Sequence, residues 1–169
     1  MSRDFPPYSY VPGGPWPHPK SSPAGHSFGK PEPGTVGGDL LASALFQEGA
    51  DLFNNGFYWE AHEAWETLWH AAGRSGPVAD FLKALIKLAA AGVKVREGIA
   101  AGVQTHARRA FLILSELEQR KPAELGHINL SLLLTEAERL ANEPLTLPEQ
   151  NREHAVLKVF AWVLGETDK

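Results

Sequence analysis

Proline is spread unevenly along this chain, and that asymmetry limits the fold more than any other feature. Nine of the thirteen prolines and seven of the sixteen glycines fall within residues 1–38. Proline lacks a backbone donor and its ring clashes with the preceding turn, so no helix survives that density. Beyond Gly38 the prolines stand at breaks such as Ser75-Gly76-Pro77, Lys121-Pro122 and Pro144. On composition the chain divides into an extended N-terminal arm, 1–38, and a helical domain, 39–169. The arm also holds five aromatic rings, Phe5, Tyr8, Tyr10, Trp16 and Phe28. Disordered segments are poor in aromatics, so the arm is expected to dock its rings on the body, with Gly29–Gly38 loose.

From Asp39 the apolar residues recur at helical spacing. The pattern predicts helices over about 39–54, 57–72, 78–97, 100–120, 129–142 and 150–164. Asp39 caps the first, and Asn55-Gly56, Gly73, Gly98 and Lys121-Pro122 end the first four in turn. The third is apolar nearly all round apart from a lysine stripe, Lys83, Lys87 and Lys94, which places it at the centre of a bundle. No stretch alternates with the period of a strand. The expected fold is all-α, an antiparallel bundle of about five to six helices with an extended Pro/Gly-rich arm.

Several function classes are disfavoured by content alone. The chain has no cysteine, which removes disulfides, zinc–thiolate sites and thiol nucleophiles. Its formal charge of -4 argues against non-specific nucleic-acid binding. No apolar run approaches the ~20 residues that span a bilayer. The expectation is a cytoplasmic protein without a membrane or nucleic-acid partner. No cofactor is called for.

The polar residues in apolar places are the functional candidates. On a wheel of the second helix, Phe57, Tyr58, Ala61, Trp65, Leu68, Trp69 and Ala72 fill one arc, followed by His62, Glu66 and Trp59. Glu60 and Thr67 take the opposite, wet face, and His70 lies one turn beyond Glu66 with Glu63 near the polar edge. On the fourth helix, His106 falls among Val103, Ala110, Ile113, Leu114 and Leu117, with Arg109 at the margin. A polar ring buried there costs on the order of 1–3 kcal/mol without a partner. The expectation is that His106 meets His62 and Glu66 across the core.

Three readings fit this constellation. His62, Glu66, His106 and Arg109 form a buried network that registers the helices. Alternatively they line a pocket walled by Trp59, Trp65 and Trp69 that binds an organic ligand or supports acid–base chemistry, as in a hydrolase using His62 with Glu66. In the third reading His62, Glu66, His70 and His106 hold a metal. The H-E-x-x-H zinc spacing is not met, and a duplicated E-x-x-H is absent. The arm's His18 and His26 reach the cluster if the arm folds over it. The sequence favours a ligand-binding or interaction domain with a site between helices 2 and 4. Its partner is an unknown small molecule or protein, and self-association is compatible with the sequence.

The stretch Phe53-Asn54-Asn55-Gly56-Phe57-Tyr58-Trp59-Glu60-Ala61-His62-Glu63-Ala64-Trp65-Glu66 resembles the signature of the domain-of-unknown-function family numbered 309, F-N-x-G-x-[YF]-[WF]-E-A-H-E-x-[WL]-E. Leu85–Ala91 and the glycine at 98 are similar to that family's following helix and its end. The likeness covers about residues 40–120. It implies a small, all-helical cytoplasmic fold of about five helices, found in bacteria, archaea and plastids, with no activity to carry over. Its motif residues correspond to Glu60, His62, Glu63 and Glu66.

Overall fold

The computed structural model describes residues 4–165, except for the side chains at 149 and 150. Five α-helices follow one another: α1 (Ala44–Asn54), α2 (Tyr58–Ala71), α3 (Pro77–Glu97), α4 (Ala100–Arg120) and α5 (Ser131–Asn142). Among the described residues there is no β-strand. The helical bundle expected from periodicity is what the chain forms, and no described helix is long and apolar enough to cross a membrane.

Local chemistry sets the helix ends. Asp39 caps a short 3-10 turn, Leu40–Ala42, by accepting the Leu41 amide, and the α-helix starts afresh at Ser43, whose hydroxyl accepts the Phe46 N–H at 3.1 Å. Pro77 opens α3 at its first position, and Gly98 closes it in the left-handed conformation. Each helix packs on the next, and α3 lies against both α2 and α4. Its Leu82, Leu85, Leu88 and Ala89 meet Leu68 and Trp65 of α2 and Val103, Ala110 and Leu114 of α4 in one core. Gly92 permits the close crossing of α2 and α3, because a Cβ there would sit 2.6 Å from the Tyr58 ring.

The sixth helix expected at 150–164 does not form. A 3-10 turn spans Glu149–Glu153, and no helix follows it in the described residues. The backbone finds its partners elsewhere. Tyr58 Oη accepts the N–H groups of Val159 and Phe160, and the Asn54 amide both accepts from and donates to Leu164. Phe160 and Trp162, two residues apart, then pack on Phe53. The apolar spacing here suits an inward-facing extended segment as well as a helix.

Residues 4–38 cross the α2 side of the bundle without forming an α-helix. Tyr8 and Val11 are buried, Phe5 stacks on Phe57 at 5.2 Å, and Tyr10 meets the edge of Trp59 at 4.8 Å. Trp16 stacks on Tyr8, whereas Phe28 stands half exposed. Ser9 donates to the Ala155 carbonyl, so the segment also touches the C-terminal stretch.

Candidate functional site

Helix α2 divides its polar motif between two edges. Glu60 faces residues 4–33, while His62, Glu66 and His70 run down the outer surface. The wheel placed Glu60 on the wet face, yet its side chain is 8% exposed. The reason is the segment that covers it. Glu60 Oε2 accepts the Tyr10 N–H at 3.1 Å and lies 3.4 Å from His26 Nε2. Oε1 is buried and has no hydrogen-bond partner among the described residues. A buried carboxylate with an open acceptor costs about 1–3 kcal/mol or more, so a donor there is strongly favoured.

His26 is similarly enclosed, its side chain 5% exposed. Its Nδ1 lies 2.8 Å from Ser27 Oγ, and its ring packs on Tyr8 at 4.7 Å. Tyr8 Oη ties the segment together, donating to the Pro17 carbonyl and accepting the His26 N–H. Arg96 of α3, 1% exposed, feels the charge of Glu60 and donates to the His154 carbonyl, while its Nε and Nη1 are buried with no hydrogen-bond partner among the described residues. Burial lowers its guanidinium pKa, against the opposing pull of Tyr58 and Glu60.

Between residues 4–33 and the α1/α2 face lies a cleft of about 650 Å³. Its wall includes Phe5, Lys20, His26, Ser27, Trp59 and Glu60. Lys20 Nζ lies 2.9 Å from Glu63 and 3.2 Å from Glu32. Burial pulls its pKa down, but the two carboxylates outweigh this and the net shift is upward.

The outer edge is more open than expected. His62 Nε2 lies 3.4 Å from Glu66 Oε2, with the side chains 25% and 42% exposed. Glu63 is 3.7 Å from His62 Nδ1, and His70 is 3.8 Å from Glu66. Among the described residues, His62, Glu63 and Glu66 present ligand atoms within 4.8 Å of one another, a grouping with the spacing to hold a cation that does not include His106. His70 instead accepts from Arg74 at 2.9 Å.

His106 does not hydrogen-bond to His62 or Glu66 among the described residues, because α3 packs between α2 and α4. Its environment is cationic. Burial lowers its pKa to about 4, and Lys87, Lys94, Arg109 and His62 add to the shift. Arg109 itself is exposed. The tryptophan wall is also dispersed. Trp65 is wholly buried core, donating to the Phe46 carbonyl, and Trp69 packs beside His70 under Arg74. Trp59 alone of the three lines the cleft, and it also borders a hollow of about 100 Å³ with His62 and Lys94.

Sequence reasoning missed Ser27, Tyr8 and Arg96. Arg96 had a usable signal, since it recurs with Leu82, Leu85, Ala89 and Gly92 at helical spacing, the same anomaly that exposed His106. Ser27 had none, because only the fold of residues 18–27 carries it, with its chain neighbour His26, to the cleft.

Residues 46–105 match the family model described as Domain of unknown function (DUF309). The resemblance read from the motif is thus supported over α1, α2, α3 and the start of α4. No curated protein and no solved structure matches the chain. The matched stretch supplies the α1/α2 floor of the cleft, while its roof, residues 4–33, lies outside the match.

Proposed function

We propose that this chain is a small-molecule-binding protein, and that its ligand enters the cleft beneath residues 4–33 with a protonated amine directed at Glu60. The observation that carries this is the Glu60 carboxylate, a lining residue of the cavity whose buried Oε1 has no hydrogen-bond partner among the described residues. A volume of about 650 Å³ falls within the range of small-molecule sites, roughly 300–1,000 Å³. The lining supports a cationic ligand. Asp4, Glu32, Glu48, Glu60 and Glu63 set five carboxylates against the ammonium groups of Lys20 and Lys30. Trp59 and Phe5 add aromatic faces that attract organic cations.

The ligand-binding class expected from the sequence is retained in this reading, but its place moves from the α2/α4 side to the opposite edge of α2. The His62–Glu66 pair gives weaker support for a hydrolase, since both groups are partly exposed and neither lines the larger cleft. The test is a thermal-shift panel of small aryl-alkylammonium and quaternary ammonium compounds, with neutral alcohols and carboxylates of the same shape as controls. A ligand at a hundredfold its Kd stabilises by about 2.7 kcal/mol. Stabilisation by the cations alone is expected. Equal responses to cation, alcohol and carboxylate, or none to any, refute the proposal.

A further inference from the structure

Ser27, His26 and Glu60 form a continuous chain of polar groups, and all three line the same cleft. Ser27 Oγ lies 2.8 Å from His26 Nδ1, and His26 Nε2 lies 3.4 Å from Glu60 Oε2. A buried carboxylate beside Nε2 holds the ring proton on that nitrogen. Nδ1 is then the lone-pair nitrogen, facing the Ser27 hydroxyl. A carboxylate that fixes a tautomer, an imidazole so fixed and a hydroxyl within hydrogen-bond reach are what an activated serine nucleophile requires.

The loop that presents Ser27 is tightly built. Ser27 N–H donates to the Pro19 carbonyl at 3.0 Å, and Gly25 N–H to the Ser22 carbonyl at 2.9 Å. A Cβ at Gly25 would lie 2.3 Å from the carbonyl oxygens of His18 and Pro19, so no larger residue fits this turn. Tyr8 Oη accepts the His26 N–H and fixes the backbone beneath the ring. Ser27 itself is part-exposed towards the cavity, whereas the two groups behind it are enclosed.

We propose that Ser27 is a nucleophile and that the cleft hydrolyses small carboxylic esters of amino alcohols, an inference that rests on the cleft being a ligand site. Ser27 Oγ bonds to the ester carbonyl carbon as its proton passes to His26 Nδ1. The resulting imidazolium is held by the Glu60 carboxylate. The ester C–O bond breaks, the departing alcohol takes the proton from Nδ1, and an acyl-Ser27 remains. Water then attacks the acyl group and loses its proton to Nδ1. The acid leaves, and Ser27 recovers its proton. The sum is ester plus water to acid plus alcohol. Glu60 acts here as a positioning residue, and the acidic lining selects against anionic esters.

The experiment uses the full chain with an uncharged fluorophosphonate probe and with p-nitrophenyl acetate, so that cation binding does not enter the readout. The expected result is one covalent adduct per chain, mapped by mass spectrometry to Ser27 and absent from Ser27→Ala. Hydrolysis of p-nitrophenyl acetate should fall at least about a hundredfold in Ser27→Ala and in His26→Gln. The Glu60→Gln variant should label more slowly by a similar factor at unchanged probe affinity, which a purely structural Glu60 would not produce. Absence of an adduct, or equal hydrolysis by Ser27→Ala, overturns the inference and leaves Ser27 a turn contact of the His26 ring. The cation thermal shift is measured on the same samples. If it persists without labelling, only the nucleophile fails; if it is absent, the binding reading fails as well.

Discussion

Replacing Tyr58 by Phe removes one oxygen from the interior and leaves two backbone donors without a partner. Tyr58 is buried, and its hydroxyl accepts the N–H groups of Val159 at 2.9 Å and Phe160 at 3.3 Å. An unsatisfied buried donor costs about 1–3 kcal/mol. The Phe160 bond is the longer of the two and contributes at the low end, so the expected loss is about 2–4 kcal/mol. The apolar contacts of the ring with Phe53 and Phe160 survive the substitution, which keeps the loss from growing further. For a chain of this size, each kcal/mol shifts Tm by roughly 2–4 °C, so a fall of about 5–15 °C is expected. Urea denaturation followed by tryptophan fluorescence measures the free energy, and hydrogen exchange at 159 and 160 locates it. A loss under about 0.5 kcal/mol with protection retained at both amides would refute the reasoning. It would mean that another acceptor, and not Tyr58, holds the C-terminal stretch out of a helix.

Further outcomes follow from the same packing. His106 has a folded pKa of about 4 against an ordinary 6.5, so the unfolded chain takes up its proton first as pH falls. Its stabilising effect is therefore complete above pH 6.5 and lost progressively down to about 4. Full linkage would approach about 3 kcal/mol, and partial exposure reduces this to about 1 kcal/mol. Urea titrations at pH 7 and 4.5 should show His106→Gln losing about that much less than the unaltered chain, and identical losses would contradict the assignment. Gly92→Ala places a methyl against the Tyr58 ring and should cost about 1–3 kcal/mol. Gly102→Ala meets only the flexible Lys94 side chain and should be neutral or stabilise by up to about 1 kcal/mol; equal destabilisation by both in calorimetry would show that α2–α3 contact is not the cause.

The sequence reports α2, α3 and α4 well because each is long, periodic and bounded by glycine or proline. It fails at 150–164, where the apolar spacing fits two conformations and the choice rests with Tyr58 and Asn54, a hundred or so positions away. The candidate site shows the same division. A helical wheel assigns Glu60 to water because the wheel knows only one helix, whereas the residues that cover it, Tyr10 and His26, come from a segment with no periodicity to read. His106 stood out as an anomaly, and the charges that act on it are those of Lys87 and Lys94 on α3, Arg109 on its own helix and His62, with no hydrogen bond to His62 among the described residues. The lysine stripe and the histidine were both visible. Their meeting depended on how α3 and α4 rotate against each other, and side-chain pattern alone does not specify that.

The central claim is that Glu60 is the acceptor for a cationic ligand, and calorimetric titration of phenethylammonium against the unaltered chain and Glu60→Gln tests it most directly. Removing one partner of a buried charge pair costs about 2 kcal/mol or more, which corresponds to a Kd weakened roughly thirtyfold. That weakening is expected, with the helical bundle intact by circular dichroism. Binding of equal strength to both chains would contradict the account.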